Sequence, residues 1–273
     1  MSADRIKEKF DSIKAEKRTG LILYLTTGFP DLAASRTLVP ALAEAGADAI
    51  ELGVPFSDPL ADGATIQASS FQALKQGVTL QDCLDLAAGL RPKVPDTPLI
   101  LMGYYNPIYR YGLERFCKRA REATVDGIIV PDLPVEEAGP LLEECRRHKI
   151  HLIPLLAPTS TEARIEQACA TASGFIYCVS VTGVTGSREA VPADMHSLVS
   201  RVRRHTPLPL AVGFGISKRE HMEAVGRSAD AAIVGSALIK TIQEASRDKM
   251  LDRASRFVRE LRGLEPALPQ GGE

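Results

Sequence analysis

At 273 residues with 45% hydrophobic content, the chain holds enough apolar material for one large core, and a single α/β barrel of roughly 250 residues fits the length. Its 33 basic residues are balanced by 34 acidic ones for a formal net charge of -1, which leaves no basic surplus to neutralise nucleic-acid phosphates. No apolar run is long enough to span a membrane and the N-terminus lacks the apolar core of a secretion signal, so a cytoplasmic protein with no membrane and no nucleic-acid partner is expected.

Residues 2–17 place Ile6, Phe10 and Ile13 at helical spacing on a charged segment, which predicts an amphipathic leading helix. An apolar run at 21–25 ends in Thr26-Thr-Gly-Phe-Pro30, and Asp31 is placed to cap a helix running to about 45, where Gly46 stops it. A second strand at 47–54 leads into a long loop, followed by helical stretches at 65–76 and 80–90. Further strands read at 99–104, 127–130, 151–156, 174–179, 208–214 and 231–234, with helices at 113–122, 135–147, 161–171, 195–205, 218–225 and 239–261.

Eight near-continuous apolar strands alternating with helices imply parallel strands covered on one side. The simplest such architecture is α/β: a single closed (β/α)8 TIM barrel with an extra N-terminal helix. A doubly wound open sheet is the alternative, but it usually carries a Gly-rich turn directly after its first strand, and Thr26-Thr-Gly-Phe-Pro30 is not one. No segment reads as a linker, so residues 1–262 are expected to form one barrel domain and 263–273 a disordered tail. The five cysteines contain no C-x-x-C pair and the five histidines no H-E-x-x-H. The cysteines read as reduced core or helix residues, His148 with His151 as a solvated helix-to-strand connection, and no metal is indicated.

The second strand carries the anomaly of the sequence. Glu51 sits in an apolar run, and alternation puts it on one face with Ala49 and Gly53 while Ile50, Leu52 and Val54 share the other. If the apolar face meets helices, Glu51 points into the barrel, where burial raises a carboxyl pKa toward the range useful for proton exchange. That makes it a general acid/base candidate; a structural ion-pair partner is the alternative. The following loop adds Asp58 and Asp62, each readable also as a turn former.

Barrel chemistry sits at the carboxyl ends of the strands, often with a phosphate site after strands seven and eight. Gly213-Phe-Gly-Ile-Ser217 and Gly235-Ser236 stand at those two places, and Ser180-Val-Thr-Gly-Val-Thr-Gly186 follows strand six. Three glycine-rich turns converging on one mouth favour an anion held by backbone N–H groups. Tyr177 shares a strand face with Phe175 and Val179, so its hydroxyl can enter the mouth; it can equally be a core tyrosine with a satisfied hydroxyl. No lysine lies in the eight strands, which disfavours a Schiff-base aldolase. Carboxylate acid/base chemistry on a phosphorylated substrate remains, as an isomerisation or a metal-free carbon–carbon cleavage.

Several stretches together resemble the tryptophan synthase alpha subunit family: Leu52-Gly-Val-Pro-Phe-Ser-Asp-Pro-Leu-Ala-Asp-Gly63, Tyr104-Tyr-Asn-Pro-Ile108, Pro131-Asp-Leu-Pro134, Val181-Thr-Gly-Val-Thr-Gly186 and Gly213-Phe-Gly-Ile216. The resemblance covers essentially the whole chain. It implies a (β/α)8 barrel that cleaves indole-3-glycerol phosphate to indole and glyceraldehyde 3-phosphate. It further implies an alpha2beta2 heterotetramer in which indole passes to a beta subunit carrying pyridoxal phosphate, with no cofactor in this chain.

Residue by residue, the resemblance makes Glu51 the main acid/base, Asp62 the second catalytic carboxylate and Tyr177 the hydroxyl that orients them. Glu51 would protonate C3 of the indole and deprotonate the glycerol hydroxyl, while Asp62 stabilises the indoleninium cation and takes the ring N–H proton. The resemblance lines the indole pocket with Tyr24, Met102, Ile129, Leu155 and Ile233 and rests the phosphate on Gly186, Gly215, Gly235 and Ser236. It puts Pro55, Asp58, Asn106 and Pro134 at the partner interface; residues 182–191, with two glycines, one charged pair and no apolar run to anchor them, are expected to act as a lid that orders over a phosphorylated ligand. Ala64 stands where many members have proline and Tyr24 where others have phenylalanine, departures that touch pocket detail rather than the reaction. An isomerase of a related phosphate-binding barrel and a non-catalytic activating subunit are the alternatives.

Overall fold

The computed structural model describes residues 4–179, 193–213 and 215–265. Among these residues nine short strands, all parallel, follow one another around one sheet in the order β5-β4-β3-β2-β1-β9-β8-β7-β6. They are β1 (Gly20–Thr26), β2 (Ala49–Gly53), β3 (Leu99–Met102), β4 (Gly127–Ile129), β5 (His151–Ile153), β6 (Leu155–Leu156), β7 (Ile176–Val179), β8 (Leu210–Gly213) and β9 (Ala231–Val234). β5 and β6 are two halves of the predicted strand 151–156, interrupted at Pro154, which has no N–H to give a ladder. The first half pairs with β4 and the second with β7, so the interruption lies where the sheet closes on itself. The result is the expected eightfold barrel.

The helices are α1 (Arg5–Ala15), α2 (Leu32–Glu44), α3 (Ala64–Lys75), α4 (Leu80–Leu90), α5 (Tyr105–Tyr111), α6 (Leu113–Glu122), α7 (Gly139–Arg147), α8 (Glu162–Thr171), α9 (Ala193–Arg203), α10 (Arg219–Gly226), α11 (Ser236–Gln243) and α12 (Met250–Arg262). Asp31 caps α2 as its position predicts, its side chain accepting the Ala34 N–H at 2.7 Å. Three expectations fail locally. The helix expected over 135–147 is a 3-10 turn, Val135–Glu137, and then α7, divided where Gly139 and Pro140 open a new helix. The long helix expected over 239–261 is α11 and α12, with residues 244–249 between them. α5 falls in the gap left between the strand expected at 99–104 and the helix expected at 113–122; Pro107 lies in its first turn, where an amide N–H would have no intrahelical partner.

Inside the barrel, side chains of alternate residues form layers. Ile22, Ala49, Ile100, Ile129, Ile153, Phe175, Ala211 and Ala231 belong to one buried cluster, joined by Ile6, Phe10 and Ile13 of α1. The Phe10 and Phe175 rings meet at 5.6 Å, and a methyl added at Gly20 would lie 2.8 Å from Ile13 Cδ1. The apolar stripe of α1 therefore closes the amino-terminal end of the barrel. At the same end, Asp48, Asp126 and Asp230 stand just before β2, β4 and β9 and accept the N–H of Leu21, Leu99 and Leu210 on the neighbouring strands. Each is also paired with arginine: Asp48 with Arg18, Asp126 with Arg5 and Arg91, Asp230 with Arg203.

No described helix is long and apolar enough to cross a membrane. The five cysteines are free thiols, all buried. His151 is half-buried rather than solvated, its Nε2 lying 3.1 Å from Asp4 at the start of α1.

Candidate active site

At the carboxyl end of the strands the barrel opens into a cavity of about 810 Å³, whose walls include Tyr24, Glu51, Asp62, Met102, Leu155, Tyr177, Gly213, Gly215, Ile233, Gly235 and Ser236. Residues predicted from seven separate segments thus meet in one space. Ile129, also predicted for the indole pocket, is fully buried in the apolar layer below and does not reach the wall. Gly186 and the segment 182–191 lie outside the described residues.

Glu51 faces inward from the middle of β2, beside Tyr24 of β1 in the strand register. It is completely buried, and neither carboxyl oxygen has a hydrogen-bond partner among the described residues. Among the described residues no cation pairs with it, so nothing there offsets the cost of its burial. Burial alone pushes its carboxyl up to about 8.

Asp62 uses its backbone and side chain differently. Its N–H closes a turn onto Pro59 at 3.0 Å, while its carboxylate accepts the Tyr104 hydroxyl at 3.1 Å. Burial raises this carboxyl to about 6, opposed by the hydrogen bond from Tyr104. Tyr104 in turn accepts the Ala61 N–H at 3.0 Å and stacks on Phe56 with ring centroids 5.0 Å apart. It fixes both ends of the loop that carries Asp62. The role of Tyr104 is missed by sequence reasoning, although it lies just past β3 with the parity of the inward-facing Ile100 and Met102.

Two phenols lie across neighbouring glycines. A methyl at Gly53 would stand 2.1 Å from the Tyr24 hydroxyl, and one at Gly213 would stand 2.9 Å from the Tyr177 hydroxyl. Each ring therefore crosses to the next strand only because that strand offers no side chain. Burial holds the Tyr177 phenol protonated, well above its ordinary range, and the charges of Glu51 and Asp62 add to the effect. The Tyr24 hydroxyl lies 3.4 Å from Thr26 Oγ1, which is bonded to Ser69 Oγ at 2.6 Å.

After β9, α11 begins just past Gly235 with no side-chain cap and no acid in its first turn, which leaves an electropositive helix start at the cavity. Gly215, in the turn after β8, takes φ +90, a left-handed conformation that favours glycine. Around the mouth Asp58, Asn106 and Pro134 are exposed, whereas Pro55 is buried. Leu60, at the tip of the β2–α3 loop, is 92% exposed. Among the described residues no cluster of three or more His, Cys, Asp or Glu side chains is placed to hold a metal ion.

The family model described as tryptophan synthase alpha chain matches residues 10–265. The tryptophan synthase alpha chain of Roseiflexus sp. (strain RS-1) is 51% identical over 259 residues, covering 95% of this chain and 99% of the relative. That of Chloroflexus aggregans is 50% identical, covering 94% and 97%. The solved structure of Mycobacterium tuberculosis tryptophan synthase superposes with a TM-score of 0.89 at 37% identity, covering 96% of this chain and 98% of that one. Tryptophan synthase subunit alpha from Legionella pneumophila gives 0.88 at 34% identity, with the same coverage. A match of this extent, on a barrel with a buried and a half-buried carboxyl at its mouth, means that the chain belongs to the tryptophan synthase alpha chain family.

Proposed function

We propose that the chain is the lyase of tryptophan biosynthesis that cleaves indole-3-glycerol phosphate to indole and glyceraldehyde 3-phosphate, with Glu51 and Asp62 dividing the work. The observation that carries the mechanism is the difference between the two carboxyls in one cavity. With Glu51 at about 8 and Asp62 at about 6, the first is largely protonated at neutral pH and the second largely ionised.

Neutral Glu51 donates its proton to C3 of the indole, giving an indoleninium cation. The Asp62 carboxylate accepts a hydrogen bond from the ring N–H and stabilises that charge. The carboxylate left on Glu51 then takes the proton of the glycerol hydroxyl. The carbon–carbon bond breaks, its electron pair restores the indole ring, and the hydroxyl carbon becomes the aldehyde. Glu51 ends protonated as it began, so it carries both proton transfers; because the returning electron pair neutralises the ring with its N–H in place, Asp62 is assigned an electrostatic role in place of the proton acceptance that the resemblance implied. Tyr24, Met102, Leu155 and Ile233 offer the ring an apolar wall, Gly215 offers the phosphate a backbone N–H in the turn after β8, and Gly235 and Ser236 offer theirs at the start of α11.

The same reading gives the chain a beta subunit, carrying pyridoxal phosphate, docked over the mouth in an alpha2beta2 assembly. Exposed Asp58, Asn106 and Pro134 are the contacts assigned to it. Buried Pro55 is assigned the shaping of that loop instead. The test is turnover of indole-3-glycerol phosphate with and without the beta subunit. Glu51→Gln is expected to lose about 10²- to 10⁴-fold in rate while still binding substrate, and Asp58→Ala to lose stimulation by the partner far more than basal rate. Undiminished turnover by Glu51→Gln overturns the mechanism; equal loss of basal and stimulated rates by Asp58→Ala overturns the docking assignment.

A further inference from the structure

The turn after β8 has two anchored ends. Gly213 belongs to the strand, and its far end, Ser217, donates its N–H to Nδ1 of His221 at 3.2 Å. Between them Gly215 holds φ +90 and Ile216 is buried at 2% exposure. His221 is itself 2% exposed, in the first turn of α10, whose Met222 and Val225 are packed into the core. A buried imidazole that accepts an N–H through Nδ1 is the neutral tautomer with its proton on Nε2. Burial favours that neutral form and lowers its pKa. The side chain therefore ties a rigid helix to the trailing end of the turn whose leading part lines the cavity beside Gly235.

We infer that His221 is a positioning residue for phosphate binding, holding the Ser217 N–H so that the Gly215 turn keeps its backbone aimed at the anion. The inference rests on the phosphate site proposed above. Nothing in it involves the carboxylates: the side chain is bonded to the outer end of the turn, not to Glu51 or Asp62. Loss of the hydrogen bond should thus weaken the grip on phosphate without altering proton transfer. Losing one such half-buried hydrogen bond corresponds to about a five- to tenfold loss in affinity.

The experiment uses the full-length chain with its beta subunit. Inorganic phosphate inhibition of indole-3-glycerol phosphate cleavage, KM, kcat and indole affinity are measured for wild type, His221→Leu and His221→Asn. The chain contains no tryptophan, so indole fluorescence reports occupancy when measured on the isolated chain. In His221→Leu, phosphate inhibition is expected to weaken and KM to rise, each about five- to tenfold, with kcat and indole affinity within about twofold. In His221→Asn, whose Oδ1 stands as far along the side chain as Nδ1, most of the phosphate affinity is expected to return. Unchanged phosphate inhibition in His221→Leu overturns the inference and leaves the phosphate site standing. Parallel loss of indole affinity and kcat in both variants also overturns it, by showing a general structural role. Failure of phosphate to compete in the wild type overturns the phosphate site itself, and the inference with it.

Discussion

Glu51 is costly to the fold. Its carboxyl stands near 8 when folded, against an ordinary value near 4.5, so between those two pH values the native state binds a proton that the unfolded chain has released. Stability must then fall as pH rises through that window. A Glu51→Gln protein, carrying no proton to lose, is expected to match wild type near pH 4 and to become progressively more heat-stable above it, by about 1.4 kcal/mol for each pH unit climbed within the window. Thermal melts of the two proteins across pH 4–9 check this, and parallel melting curves would return Glu51 to the ranks of ordinary carboxylates. The same pair predicts a bell-shaped profile of kcat/KM with limbs near 6 and 8, taken as macroscopic values of the coupled site. Tyr104→Phe removes the hydrogen bond that lowers the Asp62 carboxyl. Its acid limb is expected to move upward while the alkaline limb stays in place.

At the level of elements, the barrel mouth depends on strands that lack side chains at chosen points. Gly213→Ala brings a methyl to 2.9 Å from the Tyr177 hydroxyl, and Gly53→Ala brings one to 2.1 Å from that of Tyr24. Both variants are expected to fold and to lose cleavage rate, Gly53→Ala the more severely. Rates measured beside a far-ultraviolet circular dichroism spectrum separate displacement of a phenol from loss of the barrel. The period-two pattern makes these strands legible in the sequence, and the inward face of Glu51, Tyr24, Met102 and Tyr177 follows from parity alone. Helix ends are harder. A charged, apolar-spaced stretch such as 239–261 satisfies a helical pattern even where the chain breaks between α11 and α12, because the residues between them keep polar side chains toward water. α5 is illegible because a proline reads as a helix breaker unless its place within the first turn is known. The Tyr104–Asp62 bond spans 42 residues, a distance over which single-sequence pattern holds no contact information.

Across the whole molecule, the two ends of the barrel are built from opposite materials. The amino-terminal end is pinned by Asp48, Asp126 and Asp230, each joining a strand amide to arginine, whereas at the carboxyl end Glu51 is buried with no partner among the described residues. Asp126→Ala removes the carboxylate partner of Arg5 and Arg91, which keep only neutral acceptors, and the acceptor of the Leu99 N–H. It is expected to cost about 3–5 kcal/mol, seen as a lowered denaturant midpoint. The kcat of the protein that remains folded should be unchanged. A matching drop in kcat would show that the far end of the barrel reaches the chemistry.

The apolar closure made by α1 also decides how molecules travel. Below the cavity the packed layer of Ile22, Ile100, Ile129 and Phe175 sits directly on Ile6, Phe10 and Ile13, so the barrel is a cup and not a tube. Among the described residues the amino-terminal end offers no way out, so substrate and products pass by the carboxyl end of the strands. Indole, being neutral and apolar, has no polar barrier to hold it at the rim; its direction of departure is set by whatever covers that rim. A partner seated there therefore receives indole directly, and an uncovered rim releases it to solvent by the same route.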